Sequence, residues 1–261
     1  MEFFAISAII GYGLAFYLVA SKLLHPQGPN RKLAAMVGAV GVLSHGAALV
    51  PQILENGAQH YSLVNTASMV MLMITTAITL MLTRIKVIVV VPAVYICGIF
   101  GAAGMVLLPQ NEGYLFNDPA LFTHVGTSLL AYSVFLIAAL YAIQLASINR
   151  RLKDRKLMLE SPLPPLMTVE KQLYHFVMIG FVLLSLSLLT GFVFLEGFFG
   201  SGQAHKAIFA IAAWLVYGTM LLRHRTQGIR IRSAIIYSMS GVTLLTLAYF
   251  GNRLVRELFI G

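Results

Sequence analysis

Charge, cysteine and tryptophan are what this sequence has least of. Only 10% of its 261 residues are Asp, Glu, Lys or Arg while 59% are hydrophobic; a soluble domain carries roughly a quarter charged residues, so a water-soluble fold is excluded. The single cysteine, Cys97, excludes an intramolecular disulfide, a CxxC redox pair and a CxxCH haem-attachment site. No HxxxH pair is present and no carboxylate accompanies a histidine on an apolar run, which removes a zinc site. A GxSxG elbow is missing, as are paired carboxylates within an apolar run, so neither nucleophilic catalysis nor an acidic proton relay is expected. The net charge of +9 does not point to nucleic acid, because the Lys and Arg residues flank apolar runs, where they meet anionic headgroups. Met1-Glu2-Phe3-Phe4 lacks the positive start of a cleavable signal, so the first run is expected to stay as a helix.

What is present is a succession of long apolar runs. About 20 such residues cross a bilayer core as a helix, since lipid leaves the backbone no other partner. Eight runs are expected, near 3–23, 33–54, 62–83, 87–108, 121–147, 173–195, 205–222 and 233–251. The fold class is therefore all-α: one polytopic membrane bundle over 1–261, with eight transmembrane helices. Fifteen of eighteen Lys and Arg residues fall in alternate gaps: Lys22, Arg31 and Lys32; Arg84 and Lys86; Arg150, Arg151, Lys153, Arg155, Lys156 and Lys171; Arg223, Arg225, Arg230 and Arg232. The other gaps and the ends hold Lys206, Arg253 and Arg256 against Glu2, Glu55, Glu112, Asp118, Glu196 and Glu257. Cytoplasmic loops carry the basic excess, which makes both termini extracytoplasmic. The longest gap, the basic loop at 148–171, is the expected division of the chain into halves, and Thr168 after its proline break is the expected N-cap of the sixth span.

Ionisable groups at membrane depth are costly and mark function, so the seven histidines are informative. His45 is the deepest, about 13 Å of helix rise from the outer end of its run. His124 sits at the outer mouth of the fifth run, while His175 and His224 share the inner level on the sixth and seventh. His25, His60 and His205 read as loop or mouth residues. Single neutral imidazoles arriving from different helices suit axial ligation of haem iron. His45 with His124, and His175 with His224, describe two such sites by depth; hydrogen bonding between helices is the competing use of the same rings.

Three segments carry a family resemblance. Thr123-His124-Val125-Gly126-Thr127-Ser128 leads a helix of small and aromatic residues through Tyr132. Ile179-Gly180-Phe181 runs through Ser185, Ser187 and Thr190 to Gly191, and Lys206 leads through Trp214, Tyr217, His224 and Gly228 to Tyr249-Phe250-Gly251-Asn252. Together they resemble the integral-membrane cytochrome c assembly family, most like its shorter HemX/YpjD-type branch, with the family-like core at about 62–252. The resemblance implies that His124 is an extracytoplasmic haem ligand and His224 a membrane-embedded one. It also implies a prokaryotic cytoplasmic (inner) membrane. The family's haem-attaching members carry a Trp-rich outer loop and a second outer histidine. Here Glu196–His205 contains no Trp, and no histidine follows the last run.

The expectation is a membrane protein that binds or handles haem b without attaching it, and that is not an enzyme. His124 and His224 are the expected iron ligands and His45 and His175 their possible partners, with Tyr132, Phe181 and Trp214 against the macrocycle. Its expected partners are the lipid bilayer, haem and other membrane proteins, not nucleic acid. The alternative is a haem-free accessory or transport-associated subunit. A transporter reading has only Lys206 and Glu196 to draw on, without broken helices.

Overall fold

The computed structural model describes residues 2–23, 25, 27–55, 58–84, 89–108, 114–116, 119–153, 165–194 and 204–251. Lys86, Arg155, Lys156, Glu112, Asp118, the Glu196–Gln203 loop, Asn252, Arg253, Arg256 and Glu257 lie outside the described residues. Eight α-helices follow in order: α1 (Glu2–Ala20), α2 (Arg31–Ile53), α3 (Leu63–Met81), α4 (Val91–Leu107), α5 (Pro119–Lys153), α6 (Leu166–Phe194), α7 (Ala204–Thr226) and α8 (Ile231–Thr246). The end of α8 widens into a π-helical turn, Leu247–Gly251. Seven helices, counting α8 with that turn, are long and apolar enough to cross a membrane, whereas α4 is shorter at 17 residues. Their outward faces carry large apolar side chains such as Leu43, Leu80, Phe100 and Phe192, as lipid requires.

The described residues form two compact units, 2–116 and 119–251. The division falls between α4 and α5, not in the 148–171 loop, because the fifth run pairs along its length with the sixth. Each unit is a ring of four helices. In unit 1, α1 packs on α2 and α4, and α3 packs on α2 and α4; in unit 2, α5 packs on α6 and α8, and α7 packs on α6 and α8.

Local chemistry sets the helix ends. Asn30 caps α2, its side chain accepting from the Leu33 amide at 3.2 Å, and Ser62 caps α3 through the Asn65 amide at 3.0 Å. Gly28 (φ 65°) and Gly228 (φ 69°) make the tight turns into α2 and α8, where a side chain would be strained. Helix α6 starts earlier than its apolar run: the Pro165 carbonyl accepts from the Thr168 and Val169 amides, so Thr168 lies inside the first turn and is not the cap. Helix α5 likewise runs past the end of its expected apolar run at 147, to Lys153. An all-α expectation needs one correction, a small antiparallel ribbon in unit 1. Leu54–Glu55 pairs with Ala58–Tyr61, which pairs with Tyr114–Phe116. His60, expected in a loop, is in the middle strand opposite Leu115.

Packing rests on glycine slots that receive aromatic rings. In unit 1 the Tyr12 ring lies between Gly41 and Gly98, and Tyr95 fills the space over Gly38. Unit 2 has a four-layer stack through its middle. Phe135 of α5 lies on Gly180 of α6 and stacks on Tyr217 of α7 at 3.8 Å between centroids and 10° between planes; Tyr217 in turn covers Gly241 of α8. Because lipid is as apolar as a leucine side chain, close contact of this kind is what holds membrane helices together.

Antiparallel neighbours collect charge at one end of each unit. Lys22, Arg31, Lys32 and Arg84 mark it in unit 1; Arg150, Lys171, Arg223, Arg225, Arg230 and Arg232 mark it in unit 2. We call these the basic ends. A Cβ at Gly241 would overlap the Tyr217 ring, whereas at Gly13 it would meet nothing within 4 Å. Gly241→Ala should therefore cost about 1–3 kcal/mol through overpacking, and Gly13→Ala should leave stability level or raised, as read from thermal unfolding in detergent.

Candidate functional site

The four histidines singled out from the sequence occupy three different surroundings. His45 belongs to unit 1 and is fully buried. It projects from α2 between α1, α3 and α4, where Gly101 leaves room for its ring edge. Its Nδ1 lies 3.2 Å from the Tyr12 hydroxyl and its Nε2 2.8 Å from Ser68 Oγ. The network continues outward: Tyr12 meets Thr75 Oγ1 at 3.1 Å, and Ser68 Oγ meets the Gly101 carbonyl at 3.1 Å. Both imidazole nitrogens are thus engaged. Iron ligation by His45 would require Tyr12 or Ser68 to give up its bond, and a buried polar group left unpaired is costly.

His124 is held differently. It is half-buried in the second turn of α5, facing α6. Its Nδ1–H donates to the Ser187 carbonyl at 2.9 Å, with Thr190 Oγ1 3.3 Å away. A carbonyl can only accept, so the proton must reside on Nδ1 and the lone pair on Nε2. A fixed Nδ1–H bond of this type is what orients a metal-ligating imidazole and leaves Nε2 for the metal. The turn below is polar: Ser128 Oγ bonds Ser187 Oγ, and the Tyr249 hydroxyl in the π-helical turn donates to the Ser128 carbonyl at 3.2 Å. Tyr132 packs beside it against Tyr249 and Phe250 and meets Thr246 Oγ1 at 2.9 Å. This polar cluster ties α5 to α6 and α8 directly beneath His124.

His224 and His175 lie at the basic end of unit 2. His224, near the end of α7, stacks on Tyr174 of α6 with centroids 3.5 Å apart and planes 15° apart. His175, the next residue, is exposed. Phe181 and Trp214 stack between α6 and α7 at 5.3 Å, and the indole N–H donates to Ser185 Oγ at 2.8 Å. His124 and His224 sit on α5 and α7, which are diagonal in the ring, and the Phe135–Tyr217 stack fills the middle of the unit between their levels. Within the unit a macrocycle at His124 would sit at the end of the bundle, not at its centre.

Several residues that matter here are not among the site residues expected from the sequence. Tyr12, Ser68 and Thr75 matter because they bond one another and His45 across helices. Ser187 and Thr190 matter because they fix His124. The signal available was polar spacing on an apolar helix: Ser187 and Thr190 are three apart and so share one face of α6.

These features define a polytopic helical membrane protein in which polar side chains bond across helices inside each bundle and His124, among the described residues, is bonded through Nδ1 alone. Residues 33–260 match the family of cytochrome C assembly proteins, and the chain belongs to that family. It is 36% identical over 261 residues to the inner membrane protein YpjD of Escherichia coli K12, covering 99% of each chain, and equally so to that of E. coli O157:H7. It is also 29% identical over 143 residues, about half of each chain, to an uncharacterized 28.8 kDa protein in the nifR3-like 5′ region of Azospirillum brasilense. No solved structure matches. The chain is a multi-pass protein of the inner membrane.

The His45 network can be tested through stability. Tyr12→Phe and Ser68→Ala should each cost about 1–3 kcal/mol, because each leaves an imidazole nitrogen buried and unpaired. The double variant should cost less than the sum, since the two act on one ring. Ser240→Ala, which loses only an exposed bond to the Ile236 carbonyl, should change the thermal midpoint little.

Proposed function

We propose that this protein binds or hands on haem within the membrane phase of cytochrome c assembly, without attaching it covalently, and that His124 would hold the iron through an imidazole nitrogen. The supporting observation is the Ser187 carbonyl on His124 Nδ1–H, which presents the Nε2 lone pair at the end of unit 2. Membership of the cytochrome C assembly family supports the choice of haem as the macrocycle. Bound there as b-type haem, the iron would contribute a Lewis-acidic centre that imidazole holds reversibly. The chain's own part is to fix the ring through Ser187 and Thr190 and to keep α5 in register through Ser128 and Tyr249. His224 and His175 would serve a second ligand position at the basic end, where His224 has one ring face on Tyr174 and His175 is one residue away. His45, with both nitrogens bonded, is assigned to holding unit 1 together.

A second reading, a haem-free accessory subunit of the inner membrane, is favoured by one observation. The Gly180–Phe135–Tyr217–Gly241 stack fills the middle of unit 2, as a purely structural bundle would. The two readings separate on the visible spectrum. Protein purified in detergent after expression with excess haem precursor should show a Soret band and a positive pyridine haemochrome. His124→Ala should lower haem content roughly tenfold or more, because the metal–imidazole bond is lost while the bundle core is untouched. Haem retained in full by His124→Ala would remove the ligand assignment, and no haem in the unaltered protein would make the accessory reading the better one.

A further inference from the structure

The basic end of unit 2 holds polar atoms that the fold does not use. Gln144 of α5 is only 7% exposed, yet among the described residues neither its amide nitrogen nor its carbonyl oxygen has a hydrogen-bond partner. The Tyr141 hydroxyl, one turn away on the same helix, is buried and likewise has no partner among them, and the same holds for the Tyr174 hydroxyl and Gln172 Oε1 of α6. Contacts along the α5–α6 pair show that these residues share a level. Ser128 meets Ser187, Phe135 meets Gly180 and Tyr141 stacks on Phe176, so the pair is antiparallel and brings Tyr141 and Gln144 opposite the stretch 172–176. Five buried polar atoms thus fall within about two turns of helix. Native proteins seldom leave such groups unpaired, and ordered water is their usual partner.

We propose that this end of unit 2 binds ordered water in a pocket between α5 and α6, lined by Tyr141, Gln144, Gln172 and Tyr174, with His224 covering Tyr174 from α7. The lining identifies the occupant. Two hydroxyls can give or accept, the Gln144 amide nitrogen gives, and two carbonyl oxygens accept. None of these side chains is charged, so the pocket cannot repay the desolvation of an ion, whereas a neutral molecule that both gives and accepts fits it. The charged groups nearby stand at the rim: Arg150 on α5, Glu170 and Lys171 on α6, and Arg223 and Arg225 on α7. Gln144 lies six residues, about 9 Å of rise, from Arg150, so the water reaches in from the basic end. The Phe135–Tyr217 stack bounds it on the other side. The pocket carries solvent and exchangeable protons into the bundle at the end opposite His124.

X-ray hydroxyl-radical footprinting in H2(18)O reads bound water next to buried side chains, and the full chain in lipid nanodiscs is the sample. Tyr12 and Tyr217 are internal controls, since both are fully buried with their hydroxyls bonded. Tyr141 and Tyr174 should take up label roughly fivefold or more above these two, because only they border water. Gln144→Leu should return Tyr141 to the control level while the thermal midpoint holds or rises. Labelling of Tyr141 and Tyr174 equal to that of Tyr217 would overturn the proposal in the unaltered protein, whatever the variant does. Labelling unchanged by Gln144→Leu would equally remove Gln144 from the pocket.

Discussion

Lipid gives a helix bundle no reward for hiding leucine, and it offers no water to a stray polar group. Both halves of that constraint are visible in this protein. Large apolar side chains face outward, while the interior is made of ring-on-glycine contacts and polar bonds between helices. Tyr12 illustrates both at once. Its ring lies between Gly41 and Gly98, and its hydroxyl closes a bond to His45 and Thr75. The same residue packs α1 against two neighbours and bonds the His45 imidazole that unit 1 buries.

His45 and His124 differ because their partners differ. His45 meets two hydroxyls: Ser68 gives its proton to the Gly101 carbonyl and so accepts from Nε2–H, while Tyr12 donates to Nδ1, and neither nitrogen is spare. His124 meets a backbone carbonyl, which can only accept, so its proton is on Nδ1 and its Nε2 has no partner among the described residues. This difference in partners, not depth in the membrane, separates a packing histidine from one able to hold iron. It also explains why His45, the deepest histidine in the sequence, is the weaker candidate for a ligand.

Fold class was legible because its cause is local: eight apolar runs of bilayer length can only be helices, and all eight form. The resemblance carried by the segments around His124, Gly180 and Trp214 likewise corresponds to the family to which the chain belongs. Boundaries were less legible. Apolarity marks where lipid begins, whereas the helix continues into polar sequence, as α5 does through Arg150 and α6 does from Pro165. The division after α4 and the small ribbon of unit 1 depend on which elements pair, and a linear pattern of hydropathy does not encode pairing. At the site, membrane depth and the family resemblance picked out His124 and His224. They could not tell that Ser187 would take one nitrogen of His124, or that Tyr174 would cover a face of His224, because both partners come from another helix.

The central claim is that the His124 proton is pinned on Nδ1, and nitrogen-15 NMR of histidine-labelled protein in lipid reads that directly. With the His124 signals assigned by their loss in His124→Gln, haem-free protein should show a protonated Nδ1 coupled to the Ser187 carbonyl and an unprotonated Nε2. A proton found on Nε2, with Nδ1 bare, would contradict the hydrogen bond, and with it the open ligand position on which the haem proposal rests.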